Sequence, residues 1–235
     1  MRPAEQLLPI DGPAGIIETQ VESPAEPCGL ALVCHPHPLF GGSNENKVVT
    51  TLASTFVRLG YAALRPNFRG VGASGGQHDN GDGETEDMLV VLDEARRIFG
   101  ELPVVLAGYS FGAYVQTRVA EALSESGQPA QRLVLIGTAA GHVEGARQYA
   151  ARAVARDTLV IHGSEDTTVA LNNVLAWAEL LELPIIVIPG ADHFFHRRLH
   201  IIRDIILRAW THSPLTTERS NRAGAENRPE ETRGA

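Results

Sequence analysis

Residues 104–112 read VVLAGYSFG, in which an apolar run typical of a buried strand leads directly into the pattern G-x-S-x-G. A helical segment follows, so the pattern stands at a strand-to-helix turn. Gly108 and Gly112 carry no side chain, which lets the strand and the helix approach closely, and the tight turn lifts Ser110 to the carboxyl edge of the sheet. A bare G-x-S-x-G is common, and it is this context that predicts a nucleophilic serine.

Short β-rich runs alternate with longer segments of helical period on both sides of this stretch. This alternation is typical of a parallel sheet covered by helices on both faces. The predicted strands lie at 30–34, 61–68, 104–107, 133–136, 158–162 and 185–188, and the predicted helices at 46–59, 84–99, after Ser110, at 169–181 and at 194–210. Asp82 is the predicted N-cap of the second helix. The apolar runs 7–10 and 16–21, joined by a turn-rich stretch, predict an N-terminal antiparallel hairpin.

Composition argues against several classes of partner. The chain has 235 residues with 28 acidic and 20 basic side chains, a net charge of −8, and so no excess of cations to neutralise nucleic-acid phosphates or an anionic membrane. No apolar run approaches the roughly 18 residues of a membrane span, and residues 1–6 lack the uninterrupted apolar stretch expected of a signal peptide. We therefore expect neither nucleic acid nor membrane as a partner.

The number of cysteines indicates the cellular compartment, and the composition of the C-terminal residues indicates where the domain ends. Cys28 and Cys34 are too few and too close for a disulfide framework, which predicts a cytoplasmic protein. Residues 1–212 are predicted to form one α/β domain. Residues 213–235 are rich in Glu and Arg and poor in large apolar side chains, so we expect a disordered tail.

A serine nucleophile requires a base within hydrogen-bond reach and an acid that orients the base. The strand at 158–162 is followed by GSEDTTV and the strand at 185–188 by GADH, and both loops fall at the sheet edge that holds Ser110. In a fold of this kind the chain order is serine, acid, histidine. Asp166 is therefore the predicted acid and His193 the predicted base.

Neighbouring polar residues offer alternatives. Glu165 could replace Asp166, although one step of register turns its side chain away from His193. Asp192 is expected to cap the last helix or to face solvent. His196, one helical turn beyond His193, is expected to be partly buried and to line the site.

Two N–H donors are needed for the oxyanion of the transition state. The first is the main-chain N–H of Phe111, which opens the helix after the serine, where the helix dipole favours negative charge. The second is expected from the loop HPHPLFGG at 35–42, whose two prolines have no N–H. By analogy with H-G-x loops the candidate is the amide of His37, followed by Leu39 or Phe40.

A family resemblance is carried by an ordered set of segments across residues 35–199: HPHPLFGGS followed by NKVV, RPNFRGVGASGG, GDGETED, GYSFGA, GSEDTTV and DHFFHRRL. With these the chain resembles the α/β-hydrolase superfamily, in particular the small lidless serine hydrolases and esterases of the dienelactone-hydrolase-like kind. It departs from the family pattern at Pro66, where an apolar residue is more usual, and at Asn44, where Met is frequent. Neither departure touches Ser110, Asp166 or His193.

The resemblance implies the α/β-hydrolase fold with little or no cap. The chain between the strands at 133–136 and 158–162 is also too short for more than one extra helix, so we expect an open site. We expect a serine hydrolase that cleaves a small or exposed carboxylic ester through an acyl-enzyme on Ser110, without a cofactor. Thioesterase, amidase or peptidase activity, or a non-catalytic binding module of the same fold, are the alternatives. The expected partner is a small-molecule ester or thioester.

Two further sequence patterns could indicate a dinucleotide site and a metal site, but neither site is complete. Residues 70–75, GVGASG, match the dinucleotide pattern G-x-G-x-x-G, but the chain continues as a loop where a pyrophosphate-binding helix would have to begin. The loop is expected to form a wall of the cleft. The possible metal ligands His35, His37, Asp192, His193 and His196 form no complete zinc signature. We therefore expect a structural or oxyanion-loop role for His35 and His37, and no metal is predicted.

Overall fold

The computed structural model describes residues 4–143 and 147–211. The predicted domain boundary at 212 and the predicted disordered tail at 213–235 lie outside the described residues. Within them, no helix is long and apolar enough to cross a membrane.

The core of the fold is an eight-stranded sheet in the order β1-β2-β4-β3-β5-β6-β9-β10. Its strands are β1 (Ala4–Gly12), β2 (Gly15–Ser23), β3 (Gly29–Cys34), β4 (Tyr61–Pro66), β5 (Val104–Tyr109), β6 (Arg132–Ile136), β9 (Leu159–Gly163) and β10 (Ile185–Ile188). β1 pairs antiparallel with β2, and β2 pairs antiparallel with β4. All other pairs in this sheet are parallel. The predicted fold class, with its N-terminal antiparallel hairpin, is confirmed.

Helices cover both faces of the sheet because successive side chains of a buried strand point to opposite faces. They are α1 (Lys47–Arg58), α2 (Asp82–Phe99), α3 (Phe111–Glu125), α4 (Leu171–Glu179) and α5 (Leu199–Thr211). Leu30 and Leu32 of β3 belong to the apolar cluster that includes α2 and α3. Ala31 and Val33 belong to the opposite cluster, which includes α1 and α5.

Little chain intervenes where a cap would be inserted. In the described part of the segment between β6 and β9, the regular structure is a two-stranded hairpin of β7 (Gly141–His142) and β8 (Gln148–Tyr149). In the described residues of this segment, no helix lies between β6 and β9.

The predicted starts of α4 and α5 and the predicted N-cap of α2 are wrong. α5 begins at Leu199 rather than at residue 194, because Phe195 (φ 53°) and Arg197 (φ 59°) adopt left-handed conformations that a helix does not allow. α4 begins at Leu171 rather than at residue 169. The N-cap of α2 is Gly81 rather than Asp82, and the Glu84 carboxylate accepts a hydrogen bond from the Gly81 N–H at 2.8 Å.

Candidate active site

Ser110 occupies the turn between β5 and α3 with φ 56° and ψ −117°, a conformation that non-glycine residues seldom adopt. The turn depends on the two flanking glycines. A Cβ atom on Gly108 would lie 2.4 Å from the Gly112 carbonyl oxygen, and one on Gly112 would lie 2.4 Å from the Cys34 carbonyl oxygen. The Ser110 N–H donates to the Ile136 carbonyl at 2.9 Å, which ties the turn to β6. The geometry is that of the strained turn anticipated from G-x-S-x-G.

The structure brings the three predicted triad residues together. His193 Nε2 lies 3.0 Å from Ser110 Oγ, and His193 Nδ1 lies 2.7 Å from Asp166 Oδ2. Asp166 Oδ1 accepts hydrogen bonds from the N–H groups of Thr168 at 3.0 Å and Val169 at 2.8 Å. The Asp166 carboxylate is buried, and an ionised carboxylate can only accept hydrogen bonds. His193 therefore carries a proton on Nδ1 and donates it to Asp166 Oδ2. Nε2 is left to accept from the serine hydroxyl, which is the arrangement that general-base chemistry needs.

We call the hydrogen-bonded chain from Ser110 through His193 to Asp166 the relay. The other polar residues considered from the sequence lie outside it. Glu165 is exposed, and its main-chain N–H donates to the Ala191 carbonyl at 2.9 Å. Asp192 accepts from the His196 N–H at 3.1 Å and from His196 Nδ1 at 2.5 Å, so it caps the turn before α5 and not α5 itself. The prediction that His196 is partly buried and lines the site is wrong, because its side chain is 73% exposed.

Two residues near the relay were missed from sequence. His162 is fully buried at the end of β9; its Nε2 donates to the Val169 carbonyl at 3.0 Å and lies 3.4 Å from Asp166 Oδ2. Burial lowers the pKa of His162, against the opposing effect of Asp166. Tyr109, beside the serine, donates its hydroxyl to the His193 carbonyl at 2.8 Å. Burial, followed by the charges of Asp166 and Asp192, raises the pKa of Tyr109, which keeps it a donor.

The loop that follows β3 forms a short 3₁₀ turn at Pro38–Phe40 and uses two of the candidate amides internally. The Leu39 N–H donates to His37 Nδ1 at 3.2 Å, and the Phe40 N–H donates to the His37 carbonyl at 3.2 Å. Among the described residues, the N–H groups of His37 and Phe111 have no acceptor. These two amides therefore stay available to an incoming oxygen, whereas those of Leu39 and Phe40 do not.

His35 anchors the base of the same loop. Its Nε2 accepts from the Phe68 N–H at 2.9 Å, and its Nδ1 donates to the Pro36 carbonyl at 2.6 Å. Burial lowers the pKa of His35 to about 4, so the ring is neutral at pH 7. The pKa of His37 is also lowered to about 4, by burial and then by the neighbouring His78 and Arg147. His35 is thus a structural acceptor. No group of three potential ligands that could hold a metal occurs in residues 4–143 and 147–211.

The relay opens into a cleft of about 710 Å³. Ser110 and His193 line it, together with Phe40, Arg147 and Phe194. The rings of Phe40 and Phe194 are exposed at the surface, and the Arg147 guanidinium lies 4.3 Å from the Phe40 ring centroid. The cleft therefore combines an apolar rim with one cationic side chain.

The glycine-rich loop at 70–75 does not form a wall of this cleft. Its Gly75 N–H donates to the Ile16 carbonyl at 2.8 Å, and its Ala73 N–H donates to Glu18 at 2.5 Å. The loop is instead tied to the N-terminal hairpin, because the long connection before α2 packs on β2.

Known proteins share this architecture. The chain is 36% identical to an α/β serine hydrolase homologue from Coxiella burnetii, over 88% of this chain and 97% of that one, with a TM-score of 0.74. It is also 36% identical to an α/β serine hydrolase without a lid from Xanthomonas campestris, over 87% and 93% of the two chains, with a TM-score of 0.75. The model of the thioesterase domain family matches residues 71–186. An uncharacterized protein of Rickettsia prowazekii is 43% identical over 108 residues, and that match spans only 45% of the length of each protein.

Proposed function

The chain belongs to the α/β serine hydrolases without a lid, and we propose that it cleaves carboxylic esters through an acyl-enzyme on Ser110. The observation that carries this proposal is the unbroken relay from Ser110 Oγ through His193 to Asp166, with steps of 3.0 and 2.7 Å. A binding module of the same fold would need neither the relay nor the strained serine. The spacing supports acyl transfer because both steps lie within hydrogen-bond reach.

In the proposed reaction, Ser110 Oγ attacks the ester carbonyl carbon while His193 Nε2 takes the hydroxyl proton. The carbonyl π electrons move to the oxygen, and the N–H groups of Phe111 and His37 stabilise the resulting oxyanion. When the tetrahedral intermediate collapses, the bond to the leaving alcohol breaks and His193 returns the proton to that alcohol. Water then attacks the acyl-enzyme carbonyl while His193 takes a water proton, and when the bond to Ser110 Oγ breaks His193 returns that proton to Oγ and the acid is released. Asp166 stabilises the imidazolium in both halves.

Thioester cleavage is the second candidate, favoured by the match to the thioesterase domain family over residues 71–186. The relay and the two free amides serve either substrate, because both reactions pass through an oxyanion on the same carbonyl oxygen. The leaving group alone separates them, since a thiolate needs less help from the His193 proton than an alkoxide does. Amide or peptide cleavage has no separate support in the cleft.

The substrate proposed is small, or is presented on an exposed group. Phe40 and Phe194 supply apolar surface at the rim, which favours an apolar acyl or aryl portion. A lidless cleft offers little binding energy from remote parts of a large substrate. The reaction steps above require no cofactor.

Cytoplasmic location remains a prediction. Its support is chemical: Cys28 and Cys34 are both free thiols, and Cys34 is buried, where burial raises its pKa far above the ordinary value. A buried neutral thiol of this kind is unreactive, and neither cysteine contributes to the proposed chemistry.

Hydrolysis of matched p-nitrophenyl esters and acyl thioesters, from acetyl to decanoyl, tests the proposal in wild type and in Ser110→Ala. We expect wild-type turnover of the esters, and loss of about 1,000-fold or more of kcat/KM in Ser110→Ala. Preference for thioesters by about 10-fold or more at equal acyl length would transfer the assignment to the second candidate. Equal rates in wild type and variant on both series, with no labelling of Ser110 by a fluorophosphonate, would overturn both.

A further inference from the structure

A second carboxylate–imidazole pair, Glu84 and His78, lies outside the relay. Glu84 is fully buried in the first turn of α2, and its Oε1 accepts from His78 Nδ1 at 2.8 Å and from the Asp79 N–H at 2.9 Å. Its Oε2 accepts from the Gly81 N–H at 2.8 Å. A carboxylate at this place is also favoured by the helix dipole. Glu84 therefore holds the start of the helix and the imidazole at once.

The His78 ring packs against both of the residues whose amides are proposed to bind the oxyanion. Its centroid lies 4.5 Å from that of His37 and 5.1 Å from that of Phe111. His37 and Phe111 are themselves 5.0 Å apart. Among the ring contacts of residues 4–143 and 147–211, His78 is the one partner common to both. His37 comes from the loop after β3 and Phe111 from α3, so His78 links two separate elements.

We propose that His78, held by Glu84, is a positioning residue that sets the relative placement of the His37 and Phe111 amides. This inference rests on the proposed hydrolase function. Two donors stabilise an oxyanion only when both lie about 2.7–3.1 Å from the position it will occupy, and small displacements weaken them strongly. His78 is not among the residues that line the cleft. Its loss should therefore lower kcat while leaving ground-state binding, and so KM, nearly unchanged.

His78→Asn and His78→Phe separate the ring from the hydrogen bond. In His78→Asn the ring is lost, but the asparagine amide can still donate to Glu84. The Asp79 and Gly81 N–H groups continue to donate to Glu84. We expect His78→Asn to lose about 10- to 100-fold in kcat, with KM within about 3-fold of wild type. Phenylalanine keeps a ring against His37 but no longer ties it to Glu84, and we expect a smaller loss, about 3- to 10-fold.

Affinity for phenylboronic acid supplies a readout that a purely structural role would not move. Boronates add to a serine as a tetrahedral anion, so their affinity depends on the oxyanion donors, and each variant should lose affinity by the factor it loses in kcat. His200→Ala, an exposed histidine on α5, is the matched control and should resemble wild type in both measurements. Circular dichroism and thermal unfolding establish which variants are folded.

Folded variants with kcat and boronate affinity within about 2-fold of wild type would overturn the inference. A raised KM at unchanged kcat would do the same. If His78→Asn does not fold, His78→Phe decides the question by the same two readouts. Failure of the proposed function looks different, because wild type itself would then neither turn over esters nor react with a fluorophosphonate at Ser110.

Discussion

Gly112 packs directly on the main chain of Cys34: a Cβ atom at Gly112 would lie 2.4 Å from the Cys34 carbonyl oxygen. Helix α3 therefore begins in contact with β3, with no side chain between them. The same closeness recurs within the turn, where a Cβ atom at Gly108 would meet the Gly112 carbonyl oxygen. Ser110 is held between these contacts at a positive φ, a strain of about 1–3 kcal/mol that the packed turn has to sustain.

In Gly112→Ala, the added methyl group would clash with the Cys34 carbonyl oxygen, and the clash can be relieved only if α3 moves away from β3. We expect a loss of about 2–4 kcal/mol in the free energy of unfolding, measured in urea, and the loss of nearly all esterase activity. Gly127→Ala is the control: Gly127 has φ 77° but open space around its Cβ position, so it should cost about 1 kcal/mol and leave kcat unchanged. Equal effects of the two substitutions would contradict the packing argument.

Asp166→Asn tests the acid of the relay. Asn can still accept from the Thr168 and Val169 amides, but its NH₂ group would face His193 Nδ1 and favour the wrong tautomer. We expect kcat to fall by about 1,000- to 10,000-fold, with the fold retained. Glu165→Gln, on the exposed neighbour, should change kcat by less than about 2-fold. A large loss in Glu165→Gln, with activity kept in Asp166→Asn, would reassign the acid.

His35 predicts a pH dependence of stability. The pKa of His35 is lowered to about 4 by burial, whereas the unfolded chain carries an ordinary histidine of pKa about 6.5. Between these values the unfolded state binds the extra proton. The contribution of neutral His35 is therefore fully present above pH 6.5 and is lost as the pH falls towards 4, by about 3 kcal/mol in total.

His35→Gln should remove this dependence, because a glutamine oxygen can replace Nε2 as the acceptor for the Phe68 N–H but does not titrate. Urea unfolding at pH 7.5 and pH 5 measures the effect. We expect wild type to lose about 2 kcal/mol more than the variant between the two conditions. Parallel losses would show that burial does not lower the pKa of His35 in the folded state.

His162→Leu tests the buried imidazole beside Asp166. Leucine cannot donate to the Val169 carbonyl, which should cost about 1–3 kcal/mol in the free energy of unfolding. The loop that carries Asp166 should also loosen, and kcat should fall. His162→Gln keeps an N–H donor and should cost less in both measurements, and a reversal of that order would show that size, rather than the hydrogen bond, matters at this position.

The fold and the relay were predictable because each rests on a local pattern. The strand-to-helix context of G-x-S-x-G located Ser110, and the ends of two later strands located the residues now found at 3.0 and 2.7 Å steps. The start of α5 was not predictable in the same way. The helix was predicted from residue 194, and nothing in the local sequence pattern marks the left-handed conformations of Phe195 and Arg197 that delay it to Leu199.

Two of the residues that were missed, His78 and Tyr109, depend on partners distant in sequence. His78 acquires its role from contacts with His37 and Phe111, which no short motif connects. Tyr109 stood inside the serine motif, but its partner is the His193 main chain. His162 had a local signal, since it ends β9 four residues before Asp166, at the sheet edge that carries the relay.

Trapping the acyl-enzyme tests the central claim most directly. Wild-type protein is mixed with p-nitrophenyl acetate, quenched in acid within the first turnovers, digested and analysed by mass spectrometry. The account predicts one acetyl group on the peptide that contains Ser110, absent in Ser110→Ala and lost from wild type after a chase without substrate. Steady turnover by wild type with no acetyl group on Ser110, or with one on another residue, would contradict it.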